Sequence, residues 1–470
     1  MTFPETVSYI DSLANFEKFL HQVRVNDFDL SRVERLLSAL GDPQKTLRCV
    51  HVAGSKGKGS VCAMLAAIGG AAGYRVGLYT SPHMFDVRER IRLVGARYAA
   101  ALEQPAPMRE ALTTAVSGHG VYAADLFPDM IRREDFARVM TLVKSAGDGL
   151  AKKGLSFTFF EVMTAAAFVY FVQQQVDLVV LETGLGGRLD ATNAADALVS
   201  VVTPISLEHT AILGETVAAI AGEKAGIIKP GAGEVVIGSQ PDAAREVLIE
   251  RCLRWGKKWV DTALFQRQLL DLSTEVTRFS LRSADAFYEA LELSLIGKHQ
   301  MDNAAAAIGA VEALNRQGFS VAPEHIRSGL LKTKWPGRFE IFSRDPYVIL
   351  DAAHNADSAR VLAETFSALF PGAKATLVIG LSADKDSAAF CRVMDPIAEK
   401  IVATKSRHPR ARAFNLPALA SYFSDRPVIL TAGVADALDE ARRDSPKYIL
   451  VTGSVFVVAE ARASGLGAGI

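Results

Sequence analysis

Three glycines, two lysines and two serines fall within the seven residues Gly54-Ser-Lys-Gly-Lys-Gly-Ser60. Glycines in such a run let the backbone curl until several N–H groups face one point, and a helix beginning there adds positive potential. That is chemistry for phosphate. Lys58 has the reach to meet terminal phosphates, and Ser60 has a hydroxyl to support the phosphates or their metal. The general pattern GxxxxGK[ST] is not met, because Gly59 separates Lys58 from Ser60 and Gly54 lies only three residues before Gly57. A glycine-rich turn carrying a solvated lysine is the competing reading. The apolar run before the loop and the helical stretch after it favour a nucleotide site.

Other polar groups stand at the ends of apolar runs. Ser81 follows one in Tyr79-Thr-Ser-Pro-His83, Glu182 closes Asp177-Leu-Val-Val-Leu-Glu182, and His209 ends Ile205-Ser-Leu-Glu-His209. Open α/β sheets gather ligands beyond the carboxyl ends of their strands, so all three converge near the loop if these runs are parallel strands. Magnesium takes hard oxygen ligands and keeps waters, which suits Ser81 and Glu182. His209 is a less usual ligand and also reads as a hydrogen-bonding histidine. Each residue alone also fits a structural role, since an acid at a strand end often caps the next helix. The run Gly184-Leu-Gly-Gly-Arg-Leu-Asp-Ala-Thr-Asn193 offers Arg188 and Asp190 to a polar substrate, or is plain surface loop. Phe157-Thr-Phe-Phe-Glu161 places aromatics beside Thr158, which suits a flat heterocycle or core packing.

The elements that must position these groups alternate between strand and helix. Arg48–Ala53, Arg75–Tyr79, Asp177–Glu182 and Leu198–Val202 read as buried parallel strands, with a helix from Ser60 to about Ala72 closed by Gly73. Leu30, Val33, Leu36, Leu37 and Leu40 recur at helical spacing before Gly41-Asp42-Pro43. Thr277–Leu281 and Glu289–Leu295 suggest an antiparallel ribbon. Trp335-Pro336-Gly337 marks a boundary, after which strands at Val348–Asp351, Ala375–Ile379, Lys400–Thr404, Val428–Thr431 and Tyr448–Thr452 alternate with helices. Ala96–Lys153 is the least legible segment and is expected to be helical and surface-exposed. The fold class is therefore α/β, with an N-terminal P-loop-type doubly wound domain (1–335) and a smaller C-terminal Rossmann-like α/β domain (336–470).

Composition excludes several classes. With 470 residues, 52 basic against 52 acidic side chains, 49% apolar and 22% charged residues, the chain reads as a soluble protein of two or three domains. Zero net charge argues against a broad nucleic-acid or anionic-membrane surface. Cys49, Cys62, Cys252 and Cys391 are dispersed without a CxxC pair, which fits a reducing cytoplasm. No signal peptide is read in MTFPETVSYIDSL, and the apolar stretch Thr164–Val172 is too short to span a bilayer.

At this point the chain resembles the folylpolyglutamate and dihydrofolate synthases of the Mur ligase superfamily. The resemblance is carried by HVAGSKGKGS, GLYTSPHMFDVRERI, TFFEVMTAAAF, LETGLGGRLDATN, EHTAILGETVAAIAGEKAGIIKPG, GKHQMDNAAAA, WPGRFEIF, LDAAHNADSAR, ADKD and VTGSVFVVAEAR, in that order. It implies an ATP- and magnesium-dependent ligase that adds L-glutamate to dihydropteroate, to folate polyglutamates, or to both, through an acyl phosphate. It implies a phosphate loop of Gly57, Lys58, Gly59 and Ser60 and magnesium ligands at Ser81, Glu182 and His209. Asn303, Arg338 and Asp351 would contact the nucleotide, with His354 near the phosphates or the incoming glutamate. Thr158, Phe160, Leu189 and Asp190 would line a pteridine–benzoate site, and Lys224 matches a lysine that the superfamily often carbamylates. The partners implied are small molecules, with neither nucleic acid nor membrane, and the chain is expected to act as a monomer. Ser55-Lys56 replaces the usual Thr-Asn, Glu208 the usual aspartate before His209, and Ala352 and Ala356 a glycine and a proline around His354. A peptidoglycan-type Mur ligase and a non-catalytic P-loop switch are the rival functions.

Overall fold

The computed structural model describes residues 1–17, 27–95, 127–411, 413–423 and 426–464. Seven strands form the first sheet: β1 (Cys49–Ala53), β2 (Val76–Tyr79), β3 (Ile91–Val94), β4 (Leu178–Glu182), β5 (Ala197–Val202), β6 (Glu234–Ile237) and β7 (Trp259–Asp261). Their order is β3-β2-β4-β1-β5-β6-β7, with all neighbours parallel except β2 and β3. β1 and β4 are buried along their whole length, as continuous apolar runs in a sheet covered on both faces should be. The order places the carboxyl ends of β1, β2, β4 and β5 side by side. Ser81, Glu182 and the phosphate loop therefore emerge from one edge.

Helices cover both faces. Lys58–Ala71, His299–Arg316 and Pro323–Lys332 pack on one side, in a core that also takes Phe279 and Leu281. Leu30–Ala39, Arg133–Ala151 and Phe159–Gln173 pack on the other. Phe159–Gln173 is buried almost all round, which accounts for its continuous apolarity. No helix among the described residues is long and apolar enough to cross a membrane.

A three-stranded antiparallel sheet follows, from β8 (Gln266–Leu272), β9 (Thr277–Arg282) and β10 (Phe287–Leu293). The last sheet contains β11 (Glu340–Arg344), β12 (Tyr347–Leu350), β13 (Ala375–Ile379), β14 (Ala398–Ala403), β15 (Val428–Leu430) and β16 (Tyr448–Thr452), ordered β11-β12-β16-β13-β14-β15. It is parallel apart from the β11–β12 hairpin.

Two expectations need correction. The ribbon has three strands rather than two, because β8 joins β9. Within Ala96–Lys153, residues 96–126 lie outside the described residues, but Arg133–Ala151 is not a surface helix on every side. Phe136, Val139, Met140 and Val143 are buried against Phe159–Gln173.

His51 lies in the central strand with Nε2 2.8 Å from Thr192 Oγ1, and burial pushes its pKa down to about 3. Such a group is neutral when folded but protonated when unfolded below its ordinary pKa. It therefore removes stability as pH falls from about 6.5 towards about 3. At pH 5 the loss from His51 is expected to be about 2 kcal/mol. Denaturation midpoints measured from pH 7 to 4.5 should fall less steeply in His51→Gln than in the wild type. Equal slopes would show that His51 is not held neutral.

Candidate active site

The chain leaves β1 and turns sharply into the Lys58–Ala71 helix. The backbone N–H groups of Ser55 and Lys56 both donate to the Pro204 carbonyl, at 2.9 and 3.1 Å, which ties the loop to the exit of β5. Gly57 caps the helix with φ of 82°, and a Cβ there would lie 2.1 Å from Asn303 Oδ1. At Gly59 a Cβ would lie 2.6 Å from the Trp335 ring, so the linker packs directly on the loop. Glycine is required at both positions, by conformation and contact at one and by contact at the other. The first-turn N–H groups of Lys58, Gly59 and Ser60 have no intrahelical acceptor, which is the arrangement that binds phosphate. Lys58 Nζ rests on the Gly54 carbonyl at 3.0 Å.

Around this loop stand the strand-end groups. Glu182 is buried, and its Oε2 accepts a 3.2 Å hydrogen bond from the Ser81 N–H. Burial pushes its carboxyl up, while Lys58 and Arg338 pull it down. His209 takes a left-handed backbone (φ 47°, ψ 38°), and burial lowers its imidazole to about 4. Among the described residues no cluster of three His, Cys, Asp or Glu side chains could hold a metal by itself. One carboxylate with hydroxyls at Ser81 and Ser60 still fits magnesium, which commonly binds through one or two carboxylates, waters and substrate phosphates. His209 would add a neutral ring nitrogen.

Next to His209, Glu208 accepts from Lys224 Nζ at 3.0 Å, and Lys224 also donates to the Gly54 carbonyl at 2.8 Å. Burial lowers Lys224 to about 8, partly offset by Glu208. Burial also opposes the charge on Glu208, yet Lys224, Lys58 and Lys56 together hold its carboxyl at about 2.

The second sheet and linker supply the opposite wall. Arg338 and His354 face the same cavity as Lys58 and Glu182. His354 Nδ1 lies 3.0 Å from the Ala352 carbonyl, so this nitrogen carries the hydrogen and Nε2 is left as an acceptor. Burial, with Lys56 nearby, lowers the ring to about 3, so it is neutral at ordinary pH.

The cavity has a volume of about 360 Å³. Gly57, Lys58, Gly59, Ser60, Ser81, Glu182, His209, Arg338 and His354 line it, as do Thr158, Phe160, Leu189 and Asp190. Four expected residues do not line it, among them Arg188, which pairs with Glu223 at 2.9 Å. Asn303 lies behind Gly57 and donates to Gln300 at 2.8 Å, while Lys224 sits behind the loop on Gly54. Asp351 accepts from the N–H groups of Phe339 and Ala353, each at 2.8 Å, and so fixes the linker turn. Asp190 and Thr158 reach the cavity but their polar atoms are engaged. Asp190 accepts from the N–H groups of Gly184, Leu185 and Thr192, and Thr158 forms a capping box with Glu161. Phe160 and Leu189 present the apolar surface.

The cavity also contains Phe16, Glu17, Phe28 and Arg410, which no motif marked. Phe16 and Phe28 meet edge to face, with centroids 5.6 Å apart. Buried Arg90 pairs with Glu17 at 2.5 Å, and Arg410 donates to the Glu17 carbonyl at 3.3 Å while paired with Asp384. Partners separated by 73 and 393 positions leave no local signal in sequence.

Known proteins share the family and fold of this chain. Residues 126–311 match the Mur ligase middle domain, and residues 337–455 the Mur ligase glutamate ligase domain. The chain is 33% identical over 449 residues to the dihydrofolate synthase/folylpolyglutamate synthase of Bacillus subtilis, covering 92% of this chain and 94% of that one. Its fold is similar to Mycobacterium tuberculosis folylpolyglutamate synthase complexed with ADP (TM-score 0.81, 29% identity, 98% of both chains). It is similar also to Escherichia coli FolC in complex with DHPP and ADP (TM-score 0.80, 29% identity, 98% of this chain and 97% of that one).

The close approach at Gly57 gives a test of the loop. Gly57→Ala should lower stability by about 1–2 kcal/mol from its left-handed backbone alone, and further through overlap with Asn303. Combining it with Asn303→Ala should relieve the second part, so the double variant loses less than the sum of the single ones. Additive losses in a denaturation cycle would place Asn303 away from the loop.

Proposed function

The chain belongs to the dihydrofolate synthase/folylpolyglutamate synthase family and is an acid–amino-acid ligase, and we propose that it adds L-glutamate both to dihydropteroate and to reduced folates, at the expense of ATP. One observation carries the reading. Lys58, Glu182 and His209 from the first sheet share a cavity with Arg338 and His354 from the linker and second sheet, and Phe160 and Leu189 form an apolar wall in it. A flat heterocyclic acceptor suits that wall, and the E. coli relative was solved with DHPP and ADP.

The phosphates of ATP sit on the first-turn N–H groups of Lys58, Gly59 and Ser60. Lys58 turns from the Gly54 carbonyl to the terminal phosphate, where Lys58 and Arg338 neutralise charge on the transferring group. A magnesium ion held by Ser81, Glu182 and His209 would screen the phosphate oxygens and draw charge from that group. An acceptor carboxylate oxygen attacks the terminal phosphorus, ADP leaves, and the carboxylate becomes an acyl phosphate. The glutamate amine then attacks the acyl carbon, and phosphate departs as the amide forms. His354 Nε2, unprotonated, is the group we assign to accept a hydrogen bond from the attacking amine and orient it, and the departing phosphate carries the amine proton away. Residues 1–335 serve as the nucleotide-binding unit and 336–470 as the unit that closes over it, excluding water from the acyl phosphate. One chain supplies every described wall of the cavity, which favours action as a monomer. The four cysteines are free, buried thiols, which favours a reducing cytoplasm.

The test is phosphate release with glutamate plus either dihydropteroate or a reduced folate. Both acceptors should support it. Lys58→Ala should keep the wild-type melting temperature while kcat falls by roughly 10²–10³. Refusal of one acceptor would make the enzyme monofunctional, and near-normal turnover in Lys58→Ala would remove the phosphate-loop assignment.

Lys224 is proposed to be carbamylated during turnover. Reaction with carbon dioxide requires a neutral amine, and the burial that lowers Lys224 to about 8 favours one. The carbamate would be an anion, so Glu208 has to leave Lys224 and turn towards Lys58. Lys224→Ala should then lose most activity and regain part of it in millimolar formate or acetate. Rescue by neither acid, with a plain ammonium in a fully active wild type, would end the idea.

A further inference from the structure

Lys56 is the buried charge that the mechanism leaves unused. Its ammonium is shielded from solvent and has no hydrogen-bond partner. An ammonium carries three donors, and a shielded one left unpaired is costly. Two carboxylates, Glu208 and Asp357, attract it across space, but both are committed elsewhere. Glu208 pairs with Lys224 at 3.0 Å and Asp357 with Arg360 at 3.3 Å. Lys58 and Lys385 repel it. Its charge acts on His354 as well, so it lies near the turn that starts the Ala356–Leu369 helix, just behind the cavity lining formed by Ser55, Gly57 and Lys58. Nothing among the described residues hydrogen-bonds this group. An anion arriving at the seam between the two units would do so.

We propose that Lys56 is a substrate-binding residue whose ammonium receives an oxyanion at that seam, where the loop and the His354 turn meet. The oxyanion is the terminal phosphoryl group of the nucleotide or a carboxylate of the incoming amino acid. The phosphoryl group is the nearer in chain terms, since Lys56 lies two residues before Lys58 on the same loop. The proposal rests on the nucleotide-ligase reading above. It assigns a second cation to the phosphate loop, one held in reserve by burial rather than parked on a carbonyl as Lys58 is.

A structural lysine and a ligand-binding lysine differ in what their removal does. Removing an unpaired buried charge should not destabilise the fold, whereas removing a group that holds the loop together should. The probes are tripolyphosphate and L-glutamate, measured by titration calorimetry on the full chain, neither requiring turnover. Lys56→Gln is expected to bind tripolyphosphate at least tenfold more weakly, with a melting temperature equal to or above the wild type. Lys56→Arg should recover most of the affinity. Weakened glutamate binding with intact tripolyphosphate binding would also support the proposal and assign the oxyanion to the carboxylate. Unchanged affinity for both probes overturns it, whatever the melting temperature. Loss of melting temperature in Lys56→Gln that Lys56→Arg restores, without any change in affinity, makes Lys56 structural. A wild type that binds neither probe nor ATP overturns the nucleotide reading and this proposal together.

Discussion

The carbonyl oxygen of Gly54 accepts hydrogen bonds from two ammonium groups, Lys58 at 3.0 Å and Lys224 at 2.8 Å. Much of the site follows from that arrangement. The first lysine is part of the loop, while the second arrives from a helix that ends at residue 224 and packs behind it. A neutral carbonyl cannot balance two charges, so the surroundings must. Glu208 neutralises Lys224 directly, and Glu182, which feels the charge of Lys58, accepts a hydrogen bond from the Ser81 N–H. With Lys56 and Arg338 added, four cations face two carboxylates, and a polyphosphate would complete the balance.

The two sheets divide the work through where their strands end. In the first, parallel order brings the ends of β1, β2, β4 and β5 together, so phosphate loop, hydroxyl, carboxylate and histidine meet without long side chains having to reach. In the second, β12 ends at Leu350 and is followed by Asp351, whose carboxylate holds the linker turn. That hold fixes Arg338 and His354 as the groups that face the cavity. The contacts of Gly59 with Trp335 and of Arg410 with Glu17 tie linker and second unit to the first. Closure of such a site would keep water from an acyl phosphate.

Much of this could be read in the sequence. Fully buried parallel strands show as apolar runs, and a polar residue closing such a run marks the ligand edge, which is how Ser81, Glu182 and His209 were legible. What was not legible has physical causes. β8 carries Gln266, Arg267 and Gln268 and buries little, so it lacks the alternation of β9 and β10. The helix Arg133–Ala151 did carry a signal, at Phe136, Val139, Met140 and Val143, but it lies in a segment without other landmarks. Asp190 reads as a substrate contact because an acid among glycines suggests one, and Asp351 as a nucleotide contact because the family resemblance implies it. Their oxygens turned out to serve backbone N–H groups two to twelve residues away, a need that residue type cannot reveal. The Arg90–Glu17 and Arg410–Glu17 contacts join distant segments and required the fold.

The central claim is that the acceptor carboxylate is phosphorylated in the cavity between the two units. Dihydropteroate carrying oxygen-18 in its carboxylate tests it most directly, with the released phosphate analysed by mass spectrometry. Transfer of one labelled oxygen into inorganic phosphate, with ADP unlabelled, is the expected result. Label in AMP, or phosphate that stays unlabelled while the amide forms, would contradict the account.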